Sequence, residues 1–317
     1  LNSSTTYYAY VRAMCNAYDV GSWASVQFTT RMQAFSLPYA QNFESGNADG
    51  WQMNNGTNGW YVGTATSNGG SYSLYISDNN GASNYYNLSS ASYSYAYCRL
   101  NIEVPCVVNV SFDWTCYGEE YYDLLRAFMI PVSLNPTLSS ANGMSGSWNT
   151  TPTGWIDVSQ NGGKLNFVNT WQHSSKDLTF METGDYYLVF FWKNDGSTGT
   201  QPPAAVDNLS VEVLSTCFAV ENVSILGYDK TSATISWQPF GGSTQWQVLV
   251  STSSSASSAT ETPVLVNNTL TTISNLNSGT DYYVYVRSYC SASEQSAWSS
   301  GVHFRTLDRC ASVEDLS

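Results

Sequence analysis

Residues able to do acid–base chemistry are few in this sequence, and their spacing does not assemble a catalytic site. Glu119, Glu120 and Asp123 form an acidic cluster, and paired carboxylates are what glycoside hydrolysis requires. Adjacent residues of a strand point to opposite faces, so Glu119 and Glu120 would not share a site there, and we expect a solvated loop. His173 has serines beside it, but the members of a catalytic triad converge from separate elements. Because G-x-S-x-G, H-E-x-x-H and phosphate-loop motifs are also absent from the sequence, we expect a protein that is not an enzyme.

Tryptophans are the second group of residues that could contact a ligand. Between residues 31 and 216, Trp114 and Trp192 lie in alternating apolar segments and are expected in a core. Four others lie among Gly, Asn and Thr: Trp60, Trp148, Trp155 and Trp171. An exposed indole with amide and hydroxyl neighbours can stack on the C–H face of a sugar ring, so these four are candidate ligand-binding residues for a carbohydrate. The alternative is that each of them fills a gap between two sheets.

The composition restricts both the class of protein and its partners. The 317 residues allow two or three domains, and no run is long and apolar enough to span a bilayer. The net charge of −13 argues against a nucleic-acid partner, since phosphates need a basic surface. The 7 cysteines include no C-x-x-C pair, and together with only 2 histidines they argue against structural zinc. They indicate instead the disulfide bonds of a secreted protein.

Short apolar segments indicate an all-β fold. Charged residues are only 11% of the chain, and Ser, Thr, Asn, Gly and Tyr take their place. The segments 107–116, 124–131 and 186–192 have the character of strands, and loops rich in Gly, Asn and Ser separate many such segments. We therefore predict antiparallel β-sandwiches.

A long internal repeat defines the organisation of the chain. The segment LNSGTDYYVYVRSYCSASEQSAWSSGVHFRT at 276–306 recurs at 1–30 as LNSSTTYYAYVRAMCNAYDVGSWASVQFTT, with a single gap. Residues 1–30 are thus expected to be the last strands of a sandwich, and two strands alone cannot hold a core. We expect them to be ordered only where upstream strands or another molecule complete their sheet. CASVEDL at 310–316 echoes CFAVENV at 217–223, so 308–317 is expected to begin a further module.

Residues 217–307 resemble a fibronectin type III domain. The resemblance rests on Trp237 after Ser-Ala-Thr-Ile-Ser, and on the pattern L-x-x-x-T-x-Y-x-V-x-V that begins at Leu276. It covers 217–307 fully and 1–30 as C-terminal strands. In this family the tryptophan fills the core and the tyrosine, here Tyr282, forms the tyrosine corner. The resemblance also implies that the first strand begins where the sixth ends, and hence a disulfide between Cys217 and Cys290.

Residues 31–216 resemble the MAM-like jelly roll of the cleaved-adhesin, or choice-of-anchor J, type of bacterial surface proteins. The matching segments are LPYAQNFESGNADGW at 37–51, CRLNIEVPCVVNVSFDWTCYG at 98–118 and GDYYLVFFWKNDGSTGTQPPAAVDNLSVE at 184–212. The resemblance implies that the first and last strands lie close together, so that Glu44 and Asp207 meet at one edge. With backbone carbonyls and Asn42 or Asn208, they would bind a structural Ca²⁺, a hard cation that prefers oxygen ligands. The alternative is that both carboxylates accept hydrogen bonds from backbone amides without a metal. Three further acids are weaker candidate ligands: Asp49, Asp78 and Asp113.

Together these resemblances imply a non-catalytic segment of a secreted bacterial cell-surface adhesin. The jelly roll is expected to bind a glycan or a protein of a host or neighbouring cell. The fibronectin type III domains are expected to form a stalk that contacts adjacent modules of the same chain. Two alternatives are accessory modules of a larger extracellular hydrolase and a purely structural surface fibre, because fold resemblance does not determine function.

Overall fold

The computed structural model describes residues 1, 5–144, 150–159 and 163–309. Its regular elements are β-strands and two short 3₁₀ turns, Val132–Leu134 and Ala256–Ser258, which confirms the predicted all-β class. Within the described residues, no helix has the length and apolar character that crossing a membrane requires. Contacts divide the chain into two units, one of Leu1–Glu103, Val108–Leu178 and Thr183–Val213, the other of Val104–Val107, Thr179–Glu182 and Leu214–Ser317.

The first unit begins with an antiparallel hairpin of β1 (Thr6–Val11) and β2 (Ala24–Thr29). Tyr7 pairs with Phe28 across the hairpin, and their rings lie 6.0 Å apart. Apart from half-buried Tyr7, every residue of these two strands is exposed. The two strands thus pair in a defined register but bury little.

Two six-stranded sheets make up the rest of the first unit. Sheet I has the order β11-β10-β13-β8-β3, with β5 also paired to β8; its strands are β3 (Ala34–Ser36), β5 (Gln52–Asn54), β8 (Ser92–Ile102), β10 (Leu124–Pro131), β11 (Ile156–Asp157) and β13 (Gly184–Asn194). Sheet II has the order β12-β9-β14-β7-β6, with β4 also paired to β14; its strands are β4 (Tyr39–Gln41), β6 (Gly59–Gly63), β7 (Ser73–Ser77), β9 (Cys106–Cys116), β12 (Val168–Phe180) and β14 (Ala205–Ser215). The pairing of β3 with β8 is parallel.

The two sheets pack face to face over an aromatic core. Phe190 of sheet I lies 5.0 Å from Phe112 of sheet II and stacks on Trp51 at 5.6 Å, measured between ring centroids. Trp192 is fully buried and Trp114 is 5% exposed, as their apolar alternation predicts. This is the core of a β-sandwich.

Sheet I also buries its opposite face. Val189 and Phe191 of β13 pack there with Phe128, and Leu138 and Met144, from the chain that follows β10, complete this second core. From Tyr186 to Trp192, strand β13 consequently consists only of aromatic and aliphatic residues, which is typical of a strand covered on both sides.

The outward face of sheet II is polar. In β9, Phe112 and Trp114 are buried, whereas Ser111 and Asp113 are half-buried. Because successive side chains of a strand point to opposite faces, Ser111 and Asp113 lie on the outer face of the sheet. Along β12, exposed His173 precedes buried Ser174 in the same alternating manner. Sheet II therefore presents hydrophilic side chains from neighbouring strands on one surface.

The second unit contains a sandwich of a three-stranded and a four-stranded sheet. The first sheet has β15 (Glu221–Tyr228), β16 (Ala233–Gln238) and β19 (Leu270–Ile273); the second has β17 (Trp246–Ser251), β18 (Val264–Val266), β20 (Asp281–Ser288) and β21 (Val302–Arg305). Trp237 lies in its core, and the Tyr282 hydroxyl accepts a hydrogen bond from Asn277 N at 3.0 Å, the geometry of a tyrosine corner. A disulfide joins Cys217 to Cys290, the pair implied by the resemblance. Cys310 lies outside the described residues.

Candidate functional site

Three carboxylates from different parts of the chain lie on one side of sheet II. Asp207 is in β14, Asp113 is in the neighbouring strand β9, and Glu44 follows β4, which pairs with β14. Asn208 links two of these strands, because its Nδ2 donates to Asp113 Oδ2 at 2.9 Å. We call Glu44, Asp113 and Asp207 the carboxylate site.

The loop between β6 and β7 binds Glu44 through backbone amides. Ser71 N lies 3.0 Å from each Glu44 carboxylate oxygen, and Tyr72 N lies 2.9 Å from Oε1. Gly70 has a φ of +61°, and a Cβ at this position would lie 2.3 Å from Glu44 Oε1, so the loop requires glycine there. The Asn-Gly-Gly-Ser run at 68–71 is the sequence signal that could have revealed this cradle.

Asp207 is 1% exposed and is held among groups that disfavour its charged form. Burial raises the pKa of Asp207 to about 6, and the charges of Glu44 and Asp113 act in the same direction. Backbone amides of Asn68 and Asn208, each 2.8 Å away, oppose this rise. Glu44 and Asp207 therefore both accept amide hydrogen bonds, as the metal-free alternative requires.

Asp113 differs from Asp207 in having a basic neighbour. Its Oδ1 lies 2.7 Å from His173 Nδ1. Partial burial raises the pKa of Asp113, but hydrogen bonds from His173, Asn208 and Asn68 outweigh it, so that the pKa is lowered overall. Among the described residues, neither Glu44 nor Asp207 forms an ion pair with a basic side chain. The carboxylate site thus carries an excess of negative charge on oxygen atoms, which are the ligands that calcium prefers.

The structure corrects the prediction that Trp60 is an exposed ligand-binding residue. Trp60 lies in β6, is 1% exposed, and donates its Nε1–H to Ser94 O at 3.2 Å. The flanking glycines that suggested a loop lie inside the strand, and a Cβ at Gly63 would come within 2.2 Å of the Tyr75 hydroxyl. Here the glycines serve close packing, and Trp60 is a core residue.

The other predicted ligand-binding tryptophans lie in different surroundings. Trp155 is half-buried against the ring of Phe128, 5.2 Å away, in the second core of sheet I. Trp148 lies outside the described residues. Trp171 is half-buried in β12, two residues before His173, so both side chains leave sheet II on the same side.

Trp171 therefore shares a face with part of the carboxylate site. His173, with 62% of its side chain exposed, connects this face to Asp113. Farther along β12, Ser175 Oγ and Asp177 Oδ1 accept hydrogen bonds from Asn109 Nδ2 of β9 at 2.8 Å and 2.7 Å. The outer face of sheet II thus combines an indole with imidazole, amide, hydroxyl and carboxylate groups, a mixture suited to a polar ligand.

A second acidic cluster lies elsewhere and differs from the expected solvated loop. Oxygens of Glu119, Asp123 and Asp195 lie within 4.8 Å of one another. Asp123 is fully buried, accepts a hydrogen bond from the Tyr86 hydroxyl at 2.6 Å, and has its pKa raised to about 6, chiefly by burial. The solvated-loop prediction is therefore wrong for Asp123, because a tyrosine distant in sequence covers it.

Comparison with known proteins identifies one domain. Residues 218–305 match the family model for the fibronectin type III domain, and they form such a domain. No curated protein matches the chain.

Solved structures include β-rich domains similar to parts of the chain. The fn3 domain of the human collagen alpha-1(XX) chain is 25% identical, with 31% of this chain and 94% of that chain covered and a TM-score of 0.25. The CBM22-1 xylan-binding domain from Paenibacillus barcinonensis Xyn10C is 14% identical, with coverages of 56% and 94% and a TM-score of 0.34. TmCBM61, solved in complex with beta-1,4-galactotriose, is 12% identical, with coverages of 54% and 94% and a TM-score of 0.34. At these TM-scores the similarities carry no argument about a ligand.

Proposed function

We propose that this chain is a non-catalytic segment of a secreted bacterial surface adhesin whose central domain binds a glycan. Residues 31–216 are assigned to the MAM-like jelly roll of the cleaved-adhesin type, and 217–307 to a stalk domain. Residues 1–30 are assigned to the C-terminal strands of a fibronectin type III domain. The fibronectin type III domain and the Cys217–Cys290 disulfide are consistent with an extracellular protein.

The observation that carries this proposal is the outer face of sheet II. Trp171 offers an aromatic surface, and His173, Asp113 and Asn208 place donors and acceptors on the adjoining strands. Sugars present apolar C–H faces and hydroxyl edges, so a ligand-binding surface for them needs both an aromatic side chain and fixed polar groups. Because the strands fix these side chains, binding would need little reorganisation.

A glycan array probed with the full chain tests the proposal. We expect binding that Trp171→Ala abolishes and Trp171→Phe partly retains, because phenylalanine keeps an aromatic surface. Trp155→Ala is the matched control, since Trp155 packs in the second core of sheet I. An array without signal, or a signal that Trp171→Ala leaves intact, would refute glycan binding at this face.

We also propose that the carboxylate site holds a structural Ca²⁺. Each Asp207 oxygen accepts one amide hydrogen bond, which leaves acceptor capacity on the carboxylate, and the charges of Glu44 and Asp113 act on it. A bound cation would neutralise the converging charge. The protein side chains would then hold loop 68–72 against β14 without the repulsion between Glu44 and Asp207. Unfolding measured in calcium and in chelator tests this assignment.

A further inference from the structure

A pocket lies beside the segment that leads into β12, and the outer face of sheet II does not account for it. Its volume is about 200 Å³. Its lining includes Trp114, Glu120, Lys164, Phe167 and Gln172. We call it the Phe167 pocket.

The backbone of Phe167 is strained. Its φ is +65°, in the left-handed region that bulky residues rarely adopt, and 57% of the residue is exposed. Its N–H donates to Tyr117 O at 2.8 Å, and the two rings lie 5.6 Å apart, so the neighbouring chain enforces the conformation. Residues held in sparsely populated φ/ψ regions cluster at active sites and ligand-binding sites.

An ion pair of Lys164 and Glu120 lies in the same pocket. Lys164 Nζ lies 3.5 Å from Glu120 Oε1 and 3.2 Å from Glu120 O, and it also lies 4.2 Å from the centre of the Tyr121 ring. The pair thus places a donor and an acceptor side by side in defined positions. Trp114, which is 5% exposed, adds a second aromatic residue to the lining.

We propose that the Phe167 pocket binds one neutral pyranose ring, such as the end of a glycan chain. The ring's C–H face would stack on Phe167, and two neighbouring hydroxyls would engage the pair, one accepting from Lys164 and the other donating to Glu120. This inference deepens the proposed glycan-binding function by adding a site separate from the outer face of sheet II.

The size and charge of the pocket select this ligand class. Pockets for drug-sized ligands occupy about 300–1,000 Å³, so the smaller Phe167 pocket suits a single ring. An acidic sugar would meet Glu120 directly, and the chain as a whole carries a net charge of −13. A neutral ring lets Lys164 and Glu120 remain paired while both contribute hydrogen bonds.

Saturation-transfer NMR with the full chain and a panel of neutral methyl glycosides tests the proposal. We expect at least one glycoside to bind with a Kd of about 1 mM, which is roughly the strength that a dozen heavy atoms provide at modest ligand efficiency. Phe167→Gly should weaken binding about tenfold or more through loss of the aromatic surface. The same variant should keep or raise the melting temperature, because glycine adopts a positive φ without strain.

Two controls separate this site from the outer face of sheet II. Trp171→Ala should leave methyl-glycoside binding unchanged, and Phe167→Gly should leave the Trp171-dependent array binding unchanged. Lys164→Met removes the donor and should weaken binding in the same way as Phe167→Gly. Absence of binding by every glycoside, or equal binding by wild type and Phe167→Gly, would overturn the proposal, as would a lower melting temperature of Phe167→Gly with unchanged affinity.

Discussion

The buried carboxyl of Asp207 should make the stability of the central domain fall as the pH rises. Its pKa is about 6 in the folded protein against an ordinary value of 3.8, a rise of roughly 2 units. At 1.36 kcal/mol per unit this difference corresponds to about 3 kcal/mol. Because the folded pKa is the higher one, the contribution is fully present below pH 3.8 and is lost as the pH rises through about 6.

Asp207→Asn removes this titration while keeping a side chain of the same shape. In buffer with chelator, the unfolding free energy of the wild type relative to the variant should therefore fall by about 3 kcal/mol between roughly pH 3.5 and pH 7. The difference between the two proteins measures the Asp207 carboxyl together with its electrostatic coupling to Glu44 and Asp113. Urea unfolding at several pH values measures this quantity.

Exposed Asp78→Asn is the matched control for the loss of one carboxyl group. Calcium should reverse the effect at neutral pH: at 100 times its Kd, the ion would stabilise the wild type by about 2.7 kcal/mol and Asp207→Asn by much less. A pH-independent difference between wild type and Asp207→Asn would refute the role given to burial. Identical wild-type unfolding in calcium and in chelator would refute the calcium assignment.

Three further changes test the fold. Replacing Cys217 and Cys290 together by serine should lower the unfolding free energy of the second unit by about 4 kcal/mol, because the bond closes a loop with a sequence separation of 73. Urea unfolding measures this loss, and a loss of less than about 1 kcal/mol would contradict the entropic account. Trp60→Ala should destabilise the central sandwich by about 3–5 kcal/mol in thermal unfolding, whereas a tolerated change would restore the exposed-platform prediction. Tyr282→Phe should cost about 1–2 kcal/mol through the lost hydrogen bond to Asn277 N, and an unchanged melting temperature would deny the tyrosine corner a stabilising role.

Local pattern was enough to predict much of the fold. The apolar segments predicted as strands at 107–116, 124–131 and 186–192 correspond to β9, β10 and most of β13, because alternation and turn residues act over short distances. The second core of sheet I was not predicted, since Leu138 and Met144 pack on it from a chain segment without regular periodicity.

Long-range contacts explain the errors at the candidate sites. Asp123 was predicted to lie in a solvated loop because no residue near it in the sequence indicates its contact with Tyr86, which lies 37 residues away and covers it. Trp60 looked exposed because the glycines near it resemble a loop, although Asn55 leaves no room for a Cβ at Gly59 and Tyr75 on the neighbouring strand leaves none at Gly63. The sequence did not predict that amides of loop 68–72 bind Glu44, because any residue except proline can donate a backbone hydrogen bond. Only Gly70, where a side chain would collide with Glu44, is a signal in the sequence.

The position of β13 has a consequence for how the chain avoids aggregation. Its run Tyr-Tyr-Leu-Val-Phe-Phe-Trp has the strong β-propensity and low charge of segments that assemble into amyloid-like stacks. In the native fold this strand lies between β8 and β10 and is covered on both faces, so neither edge nor face is offered to another molecule. Both partner strands precede β13 in the chain and are made first, so they can capture it during synthesis before a second copy does. Slow pairing of β13 with β8 and β10 would therefore be the step at which newly made protein is most easily lost to aggregation.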